Sequence, residues 1–163
     1  MPKFSELPIL DISPLFGNSA TAEKTLARDF ARIYGEFGFG YITGHGIDPA
    51  LVEAVFEQNR RFHKLPVTEK LKISLNELHR GYIPYDTSTD VNSEFAEVTK
   101  PNQSESFIMM REDALADPAV YLSGPNQWPD LPGFREVLEN YTLALNALGD
   151  RLMRLALISV GAD

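Results

Sequence analysis

Apolar residues recur at alternating four- and three-residue steps in two stretches of the chain. Leu26, Phe30, Ile33 and Phe37 form one such stripe and predict an amphipathic helix over 22–37, stopped by Gly38. Phe134, Leu138, Tyr141, Leu145, Leu148, Leu152 and Leu155 form a longer one. Past Leu152 that segment turns apolar on nearly every side, through Leu155-Ala156-Leu157-Ile158-Ser159-Val160. A helix apolar all round is expected to be covered all round. The sequence stops at Asp163, so the expectation is that the covering partner belongs to a longer protein. Between the two stripes, Asp48-Pro49 suits an N-cap and first helical position. Leu51, Val52, Val55, Phe56 and Phe62 then supply a buried side. Pro66 ends this helix, and Val67–Ile73 reads as a short further one.

Other segments read as strands. Pro8-Ile9-Leu10-Asp11-Ile12 alternates briefly before Ser13-Pro14, and 39–43 is rich in aromatic and β-branched residues. Arg80-Gly81-Tyr82-Ile83-Pro84 is expected to be extended or turning. Glu105 to Met110 reads as a strand in which Glu105, Phe107 and Met109 share a face. Thr87 to Pro101 is a polar loop, with a short helix over 91–98 as an alternative. Pro118 to Pro132 is a Pro- and Gly-rich loop carrying the one tryptophan, Trp128, expected to anchor it by burial. No internal repeat or second domain boundary is visible, so 1–163 reads as one α+β region.

Composition narrows the function classes. With 44% hydrophobic and 23% charged residues the chain is globular. A formal charge of −8 argues against nucleic acid or an anionic membrane as the main partner. The chain has no cysteine, which removes disulfides, thiolate metal sites and cysteine nucleophiles. It has no secretory leader pattern and no apolar run of membrane-spanning length. A cytoplasmic location is therefore expected.

Without cysteine, metal chemistry needs His, Asp and Glu. The three histidines, His45, His63 and His79, begin no His-x-Asp or His-x-Glu and form no His-x-x-x-His pair, so no metal ligand is assigned. His45, between Gly44 and Gly46, reads as a turn residue whose ring bonds to nearby backbone. Gly-x-Ser-x-Gly and the phosphate-cradling glycine motifs are also absent. No catalytic residue is assigned.

Six stretches, in order, resemble the N-terminal region of the iron(II)/2-oxoglutarate-dependent dioxygenases, the relatives of isopenicillin N synthase. Gly38 to Ile47, "GFGYITGHGI", resembles that family's strand-turn ending in His-Gly-Ile. Pro8 to Ile12 resembles its first strand, and Phe62-His63-Lys64-Leu65-Pro66-Val67-Thr68-Glu69-Lys70 its helix link. Arg80-Gly81-Tyr82 resembles its Arg-Gly-Tyr element. Lys100 to Phe107 resembles its "K-x-D-x-KE-x-F" strand, departing at Asn102 and Ser104. Gly124-Pro125-Asn126-Gln127-Trp128-Pro129 resembles its "GPNxWP".

The resemblance implies the helical and strand portion of a double-stranded β-helix (jelly-roll) oxygenase, ending in a long buttressing helix. It implies iron(II) and 2-oxoglutarate as cofactors of the full-length enzyme, bound in the C-terminal half. In the family that half carries His-x-Asp, a later His and Arg-x-Ser; no arginine here is followed two residues later by Ser. This chain alone is expected to bind neither cofactor. It would act on a small organic substrate by contributing scaffold and one pocket wall, with self-association through the C-terminal helix as a further expectation. Two alternatives stand beside it: an oxidase without 2-oxoglutarate, and a non-catalytic helical scaffold or binding module.

The candidate substrate-binding residues are Arg80, Tyr82, Glu105 and Phe107. A guanidinium can hold a carboxylate in a bidentate fork and a phenol can orient one oxygen. Arg80 could equally pair with a local acid, and Tyr82 pack beside Pro84. Glu105 points into the barrel mouth or makes a fold-supporting ion pair. Phe107 lines the pocket or packs in the core.

Overall fold

The computed structural model describes residues 7–87 and 100–162. The suggested helix over 91–98 lies outside these residues. The chain gathers into two compact units, one formed by residues 1–55 with 137–163 and the other by 56–136. Both boundaries fall inside helices.

The first unit begins with strand β1 (Ile9–Asp11), a single 3-10 turn and helix α1 (Ala20–Glu36). Strand β2 (Tyr41–Thr43) pairs parallel to β1, with Leu10 opposite Ile42. Parallel pairing needs a crossover, and α1 supplies it. The helix starts earlier than its apolar stripe because Ser19 caps it, its Oγ accepting from the Ala22 N–H at 3.3 Å. Leu26, Ala27 and Ile33 are its buried residues. They join Leu10, Ile12, Leu148 and Leu155 in one apolar core, with Phe30, Ile42, Ile47 and Leu152 packed around it.

The turn after β2 is built as its glycines require. Gly44 and Gly46 have φ of +66° and +71°. A Cβ on Gly44 would run into the Asp11 side chain and Ser13. The His45 ring folds back within this turn, and its Nδ1 accepts from the Ile47 N–H at 3.1 Å.

Helix α2 (Pro49–His63) follows, with Asp48 Oδ1 accepting from the Ala50 N–H at 2.8 Å. Short helix α3 (Val67–Lys70) and a 3-10 turn over Leu71–Ile73 come after Pro66. In the second unit, Gln58 and Phe62 are the buried residues of α2. Phe56, expected on the buried side, is 57% exposed. At 3.6 residues per turn it lies about 120° round the helix from Phe62.

Strands β3 (Gly81–Ile83) and β4 (Ser106–Ile108) pair antiparallel, with Tyr82 opposite Phe107. Beside this hairpin the rings of Phe62, Tyr82, Phe107, Trp128 and Phe134 pack together. Phe62 lies 5.2 Å from Phe107 and 5.3 Å from Phe134, centroid to centroid. Trp128 thus anchors its loop as expected, 6.0 Å from Phe107.

Helix α4 (Phe134–Ser159) is the long terminal helix. Phe134, Leu148 and Leu155 are buried, but Leu145, expected in the same stripe, is 41% exposed. On an ideal helix it points about 60° from Leu148 and about 80° from Leu155. The core of the first unit lies toward the latter two. Near the helix end Met153, Leu157 and Val160 are exposed. No helix among the described residues is long and apolar enough to cross a membrane.

Candidate functional site

The second unit brings together three of the four candidate residues, Tyr82, Glu105 and Phe107, and adds two partners not assigned from sequence. Glu105 stands just before β4. Its Oε2 accepts from Lys70 Nζ at 2.6 Å and from the Tyr82 hydroxyl. Its Oε1 lies 2.8 Å from His63 Nδ1. Lys70 Nζ also donates to the His63 carbonyl at 3.1 Å and lies over the Tyr82 ring. Lys70 is only 3% exposed. Four chain segments therefore meet at one carboxylate: the end of α2, the end of α3, β3 and the approach to β4.

Charge explains the arrangement. Burial alone would raise the Glu105 pKa, but hydrogen bonds from Lys70, Tyr82 and His63 outweigh it and lower it to about 2. Burial would lower the Lys70 pKa, and the Glu105 carboxylate outweighs that, so Lys70 is raised. Tyr82 is raised by burial and by its bond to Glu105. Glu105 is thus an anion, Lys70 a cation, and Tyr82 a neutral donor at neutral pH. The fold-supporting ion pair is present, and the Tyr82 hydroxyl belongs to it.

Arg80 is 1% exposed and stands apart from this cluster. Its Nη1 donates to the carbonyls of Leu78 (3.0 Å) and Leu122 (2.6 Å), and its Nη2 to that of Arg111 at 3.0 Å. Its Nε donates to Asn126 Oδ1 at 3.2 Å. The fork that could hold a ligand carboxylate is directed at backbone carbonyls instead. Gly81 beside it has φ +118°, and a Cβ there would collide with Ile73 and Gln127. Phe107 is half-buried among Phe62, Phe134 and Trp128. The Trp128 Nε1 is buried and has no hydrogen-bond partner among the described residues.

His63 and Lys70 escaped the sequence reading because they lie 42 and 35 residues from Glu105. The available signal was their position, one at each end of the Phe62–Lys70 stretch. The described residues contain no group of three His, Asp or Glu able to hold a metal ion. A cleft of about 530 Å³ in the first unit is lined by Pro14, Ser19, Glu23, Arg151 and Arg154, among others, and by none of the four candidates. Both arginines are engaged there, Arg151 with the Leu15 carbonyl and Arg154 with Glu23.

The family described as "non-haem dioxygenase in morphine synthesis N-terminal" matches residues 7–131. The 2-oxoglutarate-Fe(II) type oxidoreductase hxnY of Emericella nidulans is 35% identical over 167 residues, covering 96% of this chain and 46% of the relative. The homoarginine-6-hydroxylase 2-ODD-233 of Oryza sativa is 31% identical, covering 98% of this chain and 50% of the relative. Among solved structures, a full-length Neurospora crassa protein in complex with alpha-KG superposes with a TM-score of 0.76 at 29% identity, over 96% of this chain and 48% of that one. The chain spans about half the length of the relatives it matches.

Proposed function

The chain belongs to the non-haem dioxygenase N-terminal family, and from that premise we propose that it forms the N-terminal part of an iron(II)/2-oxoglutarate-dependent oxygenase acting on a small organic substrate. The whole of 1–163 is read as this one region. The observation that carries the reading is the match along 96% of the chain to about half of the Neurospora crassa protein, whose structure holds alpha-KG. The name of hxnY and the ligand of the Neurospora crassa protein favour 2-oxoglutarate over an oxidase that dispenses with it.

The described residues do not fit an iron(II) site. No three His, Asp or Glu converge, the Nδ1 of His45 is taken by the Ile47 N–H, and that of His63 faces Glu105. Arg80 has its guanidinium on carbonyls, so it does not fit a 2-oxoglutarate clamp either. Iron(II), which would activate dioxygen as the oxidant, and 2-oxoglutarate, which would supply two of the electrons on decarboxylation to succinate, are proposed to bind residues outside this region. Within it, Glu105 and Phe107 are proposed to form the pocket wall, with Arg80 and Tyr82 holding that wall in place. Glu105 retains 25% side-chain exposure, which suits a residue facing a pocket from one side. The cytoplasm is the proposed location, which a cysteine-free chain suits.

The test is succinate release from 2-oxoglutarate by the polypeptide encoded by the reading frame that contains these residues. Release that depends on added iron(II) and on a small organic co-substrate is expected, with none from residues 1–163 alone. Turnover by the 163-residue chain alone, abolished by His45→Ala, would overturn the placement of the iron.

The exposed Met153, Leu157 and Val160 support self-association of residues 1–163 through α4. Sedimentation velocity should show mass rising with concentration, and Leu157→Glu with Val160→Glu should return it to the monomer. A wild-type chain that stays monomeric at every concentration refutes this.

A further inference from the structure

Asn126 is bonded in more directions than a surface loop residue needs. Its Oδ1 accepts from the Met110 N–H at 2.9 Å and from Arg80 Nε at 3.2 Å. Its Nδ2 donates to the Met110 carbonyl at 2.8 Å and to Glu112 Oε2 at 2.6 Å. The side-chain amide thus pairs with both backbone groups of Met110, as the backbone of a neighbouring strand would. Arg80 can only donate, so the atom beside its Nε must be the amide oxygen. The buried guanidinium therefore sets which way the amide faces. Gln127, the next residue, donates from Nε2 to the carbonyls of Ser74 (2.8 Å) and Arg80 (2.6 Å). Two successive amides grip Met110, two residues beyond β4, and Arg80, the residue entering β3.

We infer that Asn126, oriented by Arg80, is a positioning residue: its amide substitutes for a strand at Met110 and so sets the path of β4 and the aim of Glu105 and Phe107. The part concerning substrate rests on the proposed pocket wall; the clamp itself does not. Regular pairing of β4 stops at Ile108. Beyond it, the Asn126 amide takes over the backbone at Met110.

The experiment has two arms. In residues 1–163, amide hydrogen exchange is followed at Met110 and, as an internal control, at Leu10 and Ile42. Asn126→Ala should speed exchange at Met110 by about tenfold or more, with the controls unchanged. Asn126→Asp keeps an acceptor for Arg80 and the Met110 N–H but sets an oxygen against the Met110 carbonyl and Glu112 Oε2, so it should also speed Met110 exchange, by about tenfold or more. Unchanged Met110 exchange in Asn126→Ala overturns the clamp. Wild-type exchange at Met110 in Asn126→Asp overturns the role given to the amide as a two-sided partner of Met110. In the polypeptide that shows 2-oxoglutarate turnover, Asn126→Ala should raise KM for the organic substrate about fivefold and leave kcat within about twofold. A freed Met110 with an unmoved KM overturns the link to substrate. Wild-type protein without 2-oxoglutarate turnover refutes the enzyme reading while the exchange arm still decides the clamp.

Discussion

Glu105→Gln is expected to cost about 3–5 kcal/mol of folding stability, the range for breaking a buried ion pair from one side. The substitution removes the charge and leaves Lys70, 3% exposed, with an unpaired ammonium. The Tyr82 hydroxyl and His63 lose the same anionic partner. Urea denaturation of Glu105→Gln, Lys70→Met and the double variant decides the matter. The double variant should be more stable than Glu105→Gln, because no buried charge is then left alone. A Glu105→Gln protein within about 1 kcal/mol of wild type would sink the claim.

The same group makes stability depend on acid. Glu105 has a folded pKa of about 2, below its ordinary 4.5. Its contribution is therefore full above about pH 4.5 and is lost as the pH falls toward 2. A difference of that size corresponds to about 3 kcal/mol. The stability difference between wild type and Glu105→Gln should accordingly narrow across this window. A difference that stays constant from pH 6 down to the acid limit would show that the loss has another source.

Phe62→Ala should be comparably damaging, at about 3–5 kcal/mol. The ring is fully buried and sits between Tyr82, Phe107 and Phe134. Removing it opens a cavity under the β3–β4 hairpin and loses tilted and edge contacts among the rings. Phe62→Leu fills most of the space and should cost roughly 1–2 kcal/mol. Equilibrium unfolding followed by Trp128 fluorescence reports both, since Trp128 lies 6.0 Å from Phe107 in the same cluster. An alanine variant no weaker than the leucine variant would mean the site collapses freely and that the ring packing matters little.

Much of the local structure is legible in the sequence. The spacing of Leu26, Phe30 and Ile33 encodes α1, Asp48-Pro49 encodes the start of α2, and Pro66 its stop. The glycines around His45 encode its turn. These features depend on neighbours within about four residues, where periodicity, capping and glycine dihedrals operate. The misplaced residues fail for one shared reason. Phe56 and Leu145 are apolar and adjoin the stripes of their helices, yet which side of a helix is buried depends on what packs there.

The candidate site shows the same division at the level of chemistry. Sequence alone determined that Arg80, Tyr82, Glu105 and Phe107 belong to one family pattern, and which functional groups they carry. Only the tertiary structure decided what those groups face: backbone carbonyls for Arg80, and a shared carboxylate for Tyr82, His63 and Lys70. The physical reason is that the charge state and availability of a polar side chain depend on its burial and nearest partners. Here those partners come from residues up to 46 positions away, beyond the reach of any local pattern.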